Sequence, residues 1–124
     1  PPFRFDRKRI KRVLVNLISN AIDAVEEGKG EITVFSEHDR RNRLVTIRVE
    51  DNGSGIPEEA LEKIFDLLFS TKKSRGTGLG LAIVKKAIDE HGGKITVKSK
   101  VGSGTTFIIS LPINERLRRS FTGR

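Results

Sequence analysis

The sequence contains no cysteine, no tyrosine and no tryptophan, and it has only two histidines. Without thiols it can form neither disulfides nor thiolate metal sites, which fits an intracellular location, and two histidines cannot build a histidine-rich metal centre. No run approaches the ~18 consecutive apolar residues that a membrane span requires, and no secretory leader pattern is present. The missing Tyr and Trp also remove two of the residues best suited to stack on nucleic-acid bases. What remains is a chain of 124 residues with 35% hydrophobic content in short, patterned runs. That is enough for one globular domain with a single core, not for two.

Charge is not scarce. Twenty-four basic against sixteen acidic residues give a net charge of +8, a balance that suits a polyanionic partner. Much of the excess sits at the ends, in Arg4 to Arg12 and in Arg116, Arg118, Arg119 and Arg124. This distribution weighs against a dedicated nucleic-acid-binding module and for a solvated basic surface or tail.

In chain order, Asp6 is suited to cap a long helix in which Ile10, Val13, Leu14, Leu17, Ile18, Ala21 and Val25 recur at helical spacing, up to Gly28. Asn16 and Asn20 lie one turn apart on the shoulder of that apolar face. Asparagine is a mediocre helix former, so the pair calls for a reason: amide oxygens can ligate a hard cation and amide nitrogens can donate to phosphate, or the pair is simply solvated. Glu31–Glu37 and Leu44–Glu50 alternate as a hairpin with one buried face, joined by a charged turn that contains His38. The second strand ends in Asp51-Asn52-Gly53-Ser54-Gly55-Ile56-Pro57. An ionised Asp51 is acceptor-only, so at a strand end it suits the exocyclic amino group of adenine and opposes the carbonyl of guanine; a local Asx turn is the alternative.

Pro57, Glu58 and Glu59 open a short helix with Leu61, Ile64 and Phe65 as its apolar side. Leu67-Leu68-Phe69 then gives way to the cationic Ser70 to Arg75, the pattern of an anchored lid. Next comes Gly76-Thr77-Gly78-Leu79-Gly80-Leu81, which runs into a helix beginning near Leu79. Alternate glycines admit positive φ and close approach, and a helix N-terminus favours negative charge, so this stretch reads as an anion cradle or, alternatively, as a flexible loop. It is neither a Rossmann fingerprint nor a Walker loop. Ile83, Val84, Ala87 and Ile88 form the apolar sector of the helix, and His91-Gly92-Gly93 closes it, with His91 at the helix end. A second hairpin, with Ile95 and Val97 on one strand and Phe107, Ile109 and Leu111 on the other, ends at Pro112; residues 113–124 read as a tail.

Taken together these motifs resemble the boxes of sensor histidine kinases. Asn16-Leu17-Ile18-Ser19-Asn20-Ala21 looks like the N box, Asp51 to Pro57 the G1 box, Ile64 to Lys72 the F box, and Gly76 to Leu81 the G2 box. His91-Gly92-Gly93 and Gly102 to Phe107 are similar to the closing segments. The resemblance spans roughly Asp6 to Pro112. It implies one catalytic and ATP-binding domain over residues 1–124 with the Bergerat fold, an α/β two-layer sandwich of a mixed, mostly antiparallel sheet against three helices.

By position it implies ATP and Mg²⁺ as cofactors, with Asn20 on the metal and Asn16 supporting the metal–phosphate site. Asp51 would bind the adenine amino group with help from a water and Thr105. Gly53, Gly55 and Ile56 would shape the base pocket, Lys72 would approach the phosphates, and Gly76, Thr77, Gly78, Leu79 and Gly80 would cradle them. Arg75 joins the set by proximity alone. The F box departs from the family's Pro-Phe-Phe form at Leu67-Leu68-Phe69, and Asp23 stands where many members carry a basic residue.

The same fold serves gyrases, chaperones and mismatch-repair ATPases, in which a glutamate occupies the position of Asn16. An amide is a poor general base, which favours phosphoryl transfer over hydrolysis. Neither His38 nor His91 lies in a phosphoacceptor motif. The expected partners are therefore a histidine-bearing dimerisation domain of a homodimeric parent and a response regulator. The expected setting is cytoplasmic, with the parent soluble or membrane-anchored. An ATPase or ATP-driven clamp is the alternative reading, and a basic nucleic-acid-binding module the third.

Overall fold

The computed structural model describes residues 6–66 and 80–112. Helix α1 (Arg7–Ala24) starts where Asp6 accepts a hydrogen bond from the Arg9 N–H at 3.1 Å, the N-cap anticipated from sequence. It ends at Ala24, short of Gly28, with the β-branched Val25 in extended conformation. Glu26 and Glu27 would set carboxylates against the negative end of the helix dipole, which disfavours continuation.

Strands β1 (Ile32–Asp39) and β2 (Leu44–Asp51) follow, then the single turn α2 (Glu58–Leu61), helix α3 (Gly80–Glu90), and strands β3 (Lys94–Lys100) and β4 (Gly104–Pro112). The sheet order is β1-β2-β4-β3, and all three pairings are antiparallel among the described residues. In the turn between β1 and β2, the Asn42 N–H and side-chain amide both donate to Asp39 and hold its carboxyl below the usual carboxylate range.

The core lies between one face of the sheet and the helices. Ile10, Val13, Leu17 and Ala21 of α1 meet Val84, Ala87 and Ile88 of α3 over Val49, Phe107, Ile109 and Leu111. Each large side chain buried there contributes about 1.5–3 kcal/mol relative to exposure. Leu14, Ile18 and Val25 sit at the margin, half-buried. Ile64 is buried beyond α2, and Phe65 packs edge-to-face on Phe107 with ring centroids 6.3 Å apart.

Strand β1 departs from expectation. Val34 and Phe35, on its opposite faces, are 48% and 49% exposed, so it has no well-buried face. It is an edge strand that the helices cover little, and of its apolar side chains only Ile32 packs against the core.

His91 links the two long helices at their far ends. Its Nδ1 lies 2.7 Å from the Ala87 carbonyl, which can only accept, and its Nε2 accepts from the Asp6 N–H at 3.1 Å. The ring is therefore the neutral Nδ1–H tautomer, 3% exposed. The helix-end role anticipated for His91 is present, with an added tie to the start of α1. Arg9 and Glu90 form an ion pair beside it.

Candidate functional site

The site is built on the turn that follows β2. Asp51 ends the strand, and its Oδ1 accepts the Gly53 N–H at 2.8 Å. That bond fixes the carboxylate. Among the described residues Oδ2 takes no hydrogen bond, so it is the oxygen left to accept from a ligand.

Three neighbours clamp the turn. The end of α1 holds one side: the Ser54 N–H donates to the Ala24 carbonyl at 3.1 Å, and Gly53 is packed so closely there that a Cβ would lie 2.5 Å from the same oxygen. The loop before β1 holds the second through Asn52, whose Oδ1 accepts the Glu31 N–H at 2.7 Å while its Nδ2 donates to the Lys29 carbonyl at 3.1 Å. The β3–β4 turn holds the third, where the Gly102 N–H donates to the Ser54 carbonyl at 2.9 Å. Gly55 has φ +78°, and a Cβ on it would collide with the Lys100 carbonyl.

The floor comes from the sheet. Thr105 is the register partner of Asp51 on one side and of Ser99 on the other, so the three side chains share a row on the helix-covered face. Thr105 is 5% exposed, with its Oγ1 2.7 Å from Ser99 Oγ. The Ile56 N–H donates to the same Ser99 oxygen at 2.7 Å. Asp51, Gly53, Gly55, Ile56 and Thr105 are thus brought together.

On α1, Asn16 and Asn20 are half-buried. Asn16 Nδ2 donates a long hydrogen bond of 3.5 Å to the Gly80 carbonyl at the start of α3, which joins the asparagine helix to the end of the glycine stretch. Asn20 lies one turn nearer the end of α1 that clamps Gly53. Lys72, Arg75, Gly76, Thr77, Gly78 and Leu79 lie outside the described residues.

Sequence reasoning missed Asn52 and Ser99. Asn52 enters the sequence reading only as a member of the turn and of the G1 box, with no role of its own. Ser99 carried a signal, since the alternation Ile95, Val97, Ser99 puts a hydroxyl on the face reserved for apolar side chains.

Among the described residues no cluster of His, Cys, Asp or Glu could by itself hold a metal ion. A hard cation here would rely on amide and phosphate oxygens. A cavity of about 380 Å³ opens near the end of α1, lined by Ile22, Asp23, Val25, Glu26, Glu27, Gly28 and Gly30. It shares none of these site residues, and its carboxylates would repel a phosphate chain.

The fold is that of an ATPase-type domain. Residues 5–115 match the family of histidine kinase-, DNA gyrase B- and HSP90-like ATPases, and the chain belongs to that family. Within it, the similarity is to catalytic domains of sensor histidine kinases. The chain is 42% identical over 115 residues to the sensor histidine kinase WalK of Bacillus subtilis, covering 89% of this chain and 19% of the relative. It is 44% identical over 114 residues to the signal transduction histidine-protein kinase AtoS of Escherichia coli, covering 91% and 18%. The catalytic domain of histidine kinase ThkA superposes with a TM-score of 0.75 at 48% identity, over 86% of this chain and 68% of that one. The chain therefore spans about a fifth of the length of the curated relatives it matches. No helix among the described residues is long and apolar enough to cross a membrane.

Proposed function

We propose that this domain binds Mg-ATP and donates the γ-phosphoryl group to a histidine on a separate, dimerising helical domain of its parent protein. The observation that carries the reading is the held carboxylate of Asp51, with Oδ1 tied to the Gly53 N–H at 2.8 Å and Thr105 beside it in register. An acceptor fixed at that point pairs with the adenine amino group and opposes a carbonyl. Gly53, Gly55 and Ile56 would form the wall over the base.

Asn20 would offer its amide oxygen to Mg²⁺, and Asn16 would steady the metal–phosphate region from the same helix. Lys72, Arg75 and the backbone of Gly76 to Gly80 would meet the phosphates. Bound Mg²⁺ supplies charge neutralisation on the phosphate oxygens. An imidazole nitrogen of the partner domain attacks the γ-phosphorus, the bond to the β–γ bridging oxygen breaks, and ADP leaves. The phosphohistidine then passes the group to a response regulator. ATP and the regulator are cytoplasmic reactants, so the domain would work there whether or not its parent is anchored in a membrane.

Hydrolysis is the weaker reading. Asn16 lies where hydrolases of the fold carry a glutamate, and an amide is a poor general base for activating water. Steady phosphate release from the domain alone would reverse this preference.

The test is calorimetric titration of ATP with Mg²⁺ into the wild type and Asp51→Asn, with GTP in parallel. The asparagine can still accept from Gly53, so the fold is expected to persist while ATP binding weakens roughly tenfold or more. Equal binding of ATP and GTP, or an unaffected variant, would overturn the assignment of Asp51.

A further inference from the structure

Resting on the adenine-pocket reading, we infer that Ser99 is a specificity-determining residue that acts through Thr105 and Ile56, by fixing which way the Thr105 hydroxyl proton points. Three polar groups meet around one serine oxygen. The Ile56 N–H lies 2.7 Å from Ser99 Oγ and can only donate. The Gly104 carbonyl lies 2.9 Å from it and can only accept. Ser99 has a single proton to give, and that carbonyl takes it.

The Thr105 hydroxyl at 2.7 Å must then be the donor of their shared hydrogen bond. Its proton is turned towards β3, and its lone pairs are what remain for the neighbouring base. Asp51, opposite Thr105 on β2, is acceptor-only as well. The base-facing floor is thereby all acceptor, which matches an amino group and opposes a carbonyl. Ser99 touches no part of the base in this scheme. It is a positioning residue.

The same oxygen also holds the roof of the site. Ile56 follows Gly55, so its N–H bond to β3 sets the height of the turn above Thr105. Gly104 has φ +118°, and a Cβ there would collide with the Asp51 carbonyl oxygen, so the strand carrying Thr105 is drawn tightly to the strand carrying Asp51. Serine 99 thus joins β3, β4 and the turn after β2 through one atom.

Ser99→Ala removes the acceptor of the Thr105 proton. The freed hydroxyl can rotate and donate into the site, where it would accommodate the 6-carbonyl of hypoxanthine. Inosine triphosphate is the suitable probe, because its base has the outline of adenine with a carbonyl in place of the amino group. The experiment measures ATP and ITP affinity, each with Mg²⁺, for the wild type, Ser99→Ala and Ser99→Thr.

The expected result is a fall of about tenfold in the ATP-to-ITP preference of Ser99→Ala, with the preference restored in Ser99→Thr, which keeps the hydroxyl and suits a strand. A merely structural role would weaken both nucleotides by the same factor, and an unchanged ratio would overturn the inference. Amide hydrogen exchange without nucleotide gives an independent reading. Ser99→Ala should expose the Ile56 amide about tenfold while leaving the Asn52 amide, bonded to the Glu31 carbonyl, protected. Unchanged Ile56 protection would also overturn it. If the wild type bound no ATP, the nucleotide reading and the selectivity role would fall together, and Ile56 exchange would still decide whether Ser99 holds the turn.

Discussion

A Cβ on residue 55 would collide with the carbonyl oxygen of Lys100, so Gly55 and Lys100 make a backbone contact that only glycine permits. The collision is with main chain, which cannot swing aside as a long side chain would. Gly55→Ala should therefore destabilise the domain by about 2 kcal/mol or more, combining the positive-φ penalty with displacement of the β3–β4 turn. Urea unfolding of the two proteins checks this, and an unchanged midpoint would mean that the clamp is loose. Gly28→Ala is the control. That residue also has positive φ, but a Cβ there meets nothing within 4 Å, so the cost should be only the conformational part, about 1 kcal/mol.

Asn20 gives a prediction for metal. If its amide oxygen ligates Mg²⁺, wild-type affinity for ATP should rise on adding Mg²⁺, and Asn20→Ala should lose that gain, roughly tenfold to hundredfold. Titrations with and without chelator measure it. Equal magnesium dependence in both proteins would remove Asn20 from the metal site.

His91 joins Asp6 to Ala87 through both ring nitrogens. His91→Phe retains the ring's bulk and loses both bonds, which should cost about 1–3 kcal/mol because the Asp6 N–H is left without this acceptor. Glu90→Ala breaks only the neighbouring half-exposed ion pair with Arg9 and should cost under about 1 kcal/mol. Chemical denaturation of both variants separates the two ties. The reverse order of effects would show that the ion pair, not the imidazole, holds the helix ends together.

Asp39 supplies a pH dependence. Its folded-state pKa is lowered, chiefly by the backbone N–H of Asn42 and then by that residue's side-chain amide. Its contribution is therefore fully present above the unfolded value of about 3.9 and is lost as pH falls through the folded one. Asp39→Ala should lower Tm slightly at pH 7, and the gap should narrow as pH falls below the unfolded value. A gap that persists in acid would mean that turn geometry, not ionisation, is responsible.

The parts of the fold legible in the sequence were those with strong periodicity or definite end chemistry. The inward row Ile10, Val13, Leu17 and Ala21, the Asp6 cap and the alternation of β4 each state their structure locally. The exposure of Val34 could not be read that way. Alternation shows which residues share a face, but whether a helix covers that face depends on sheet order, which is a long-range property.

The same division runs through the site. Asp51, Gly53 and Gly55 stand out as candidates because an acidic strand end and turn glycines are local signals. Ser99 does not, because its meaning lies in partners at positions 56, 104 and 105. The link from Asn16 to Gly80 also needs the packing of two helices before it exists.

The clamp on the turn after β2 also sets an order of events during synthesis. Ser54, Gly55 and Ile56 leave the ribosome long before Ser99, Lys100 and Gly102, which hold them from the side of β3 and the β3–β4 turn. At ~5–20 residues per second the nascent chain spends seconds with this turn held only from the sides of α1 and the loop before β1. On the function proposed above, adenine selectivity would therefore be among the last properties the growing chain acquires, because a chain truncated before β4 would carry Asp51 and the turn after it without Thr105.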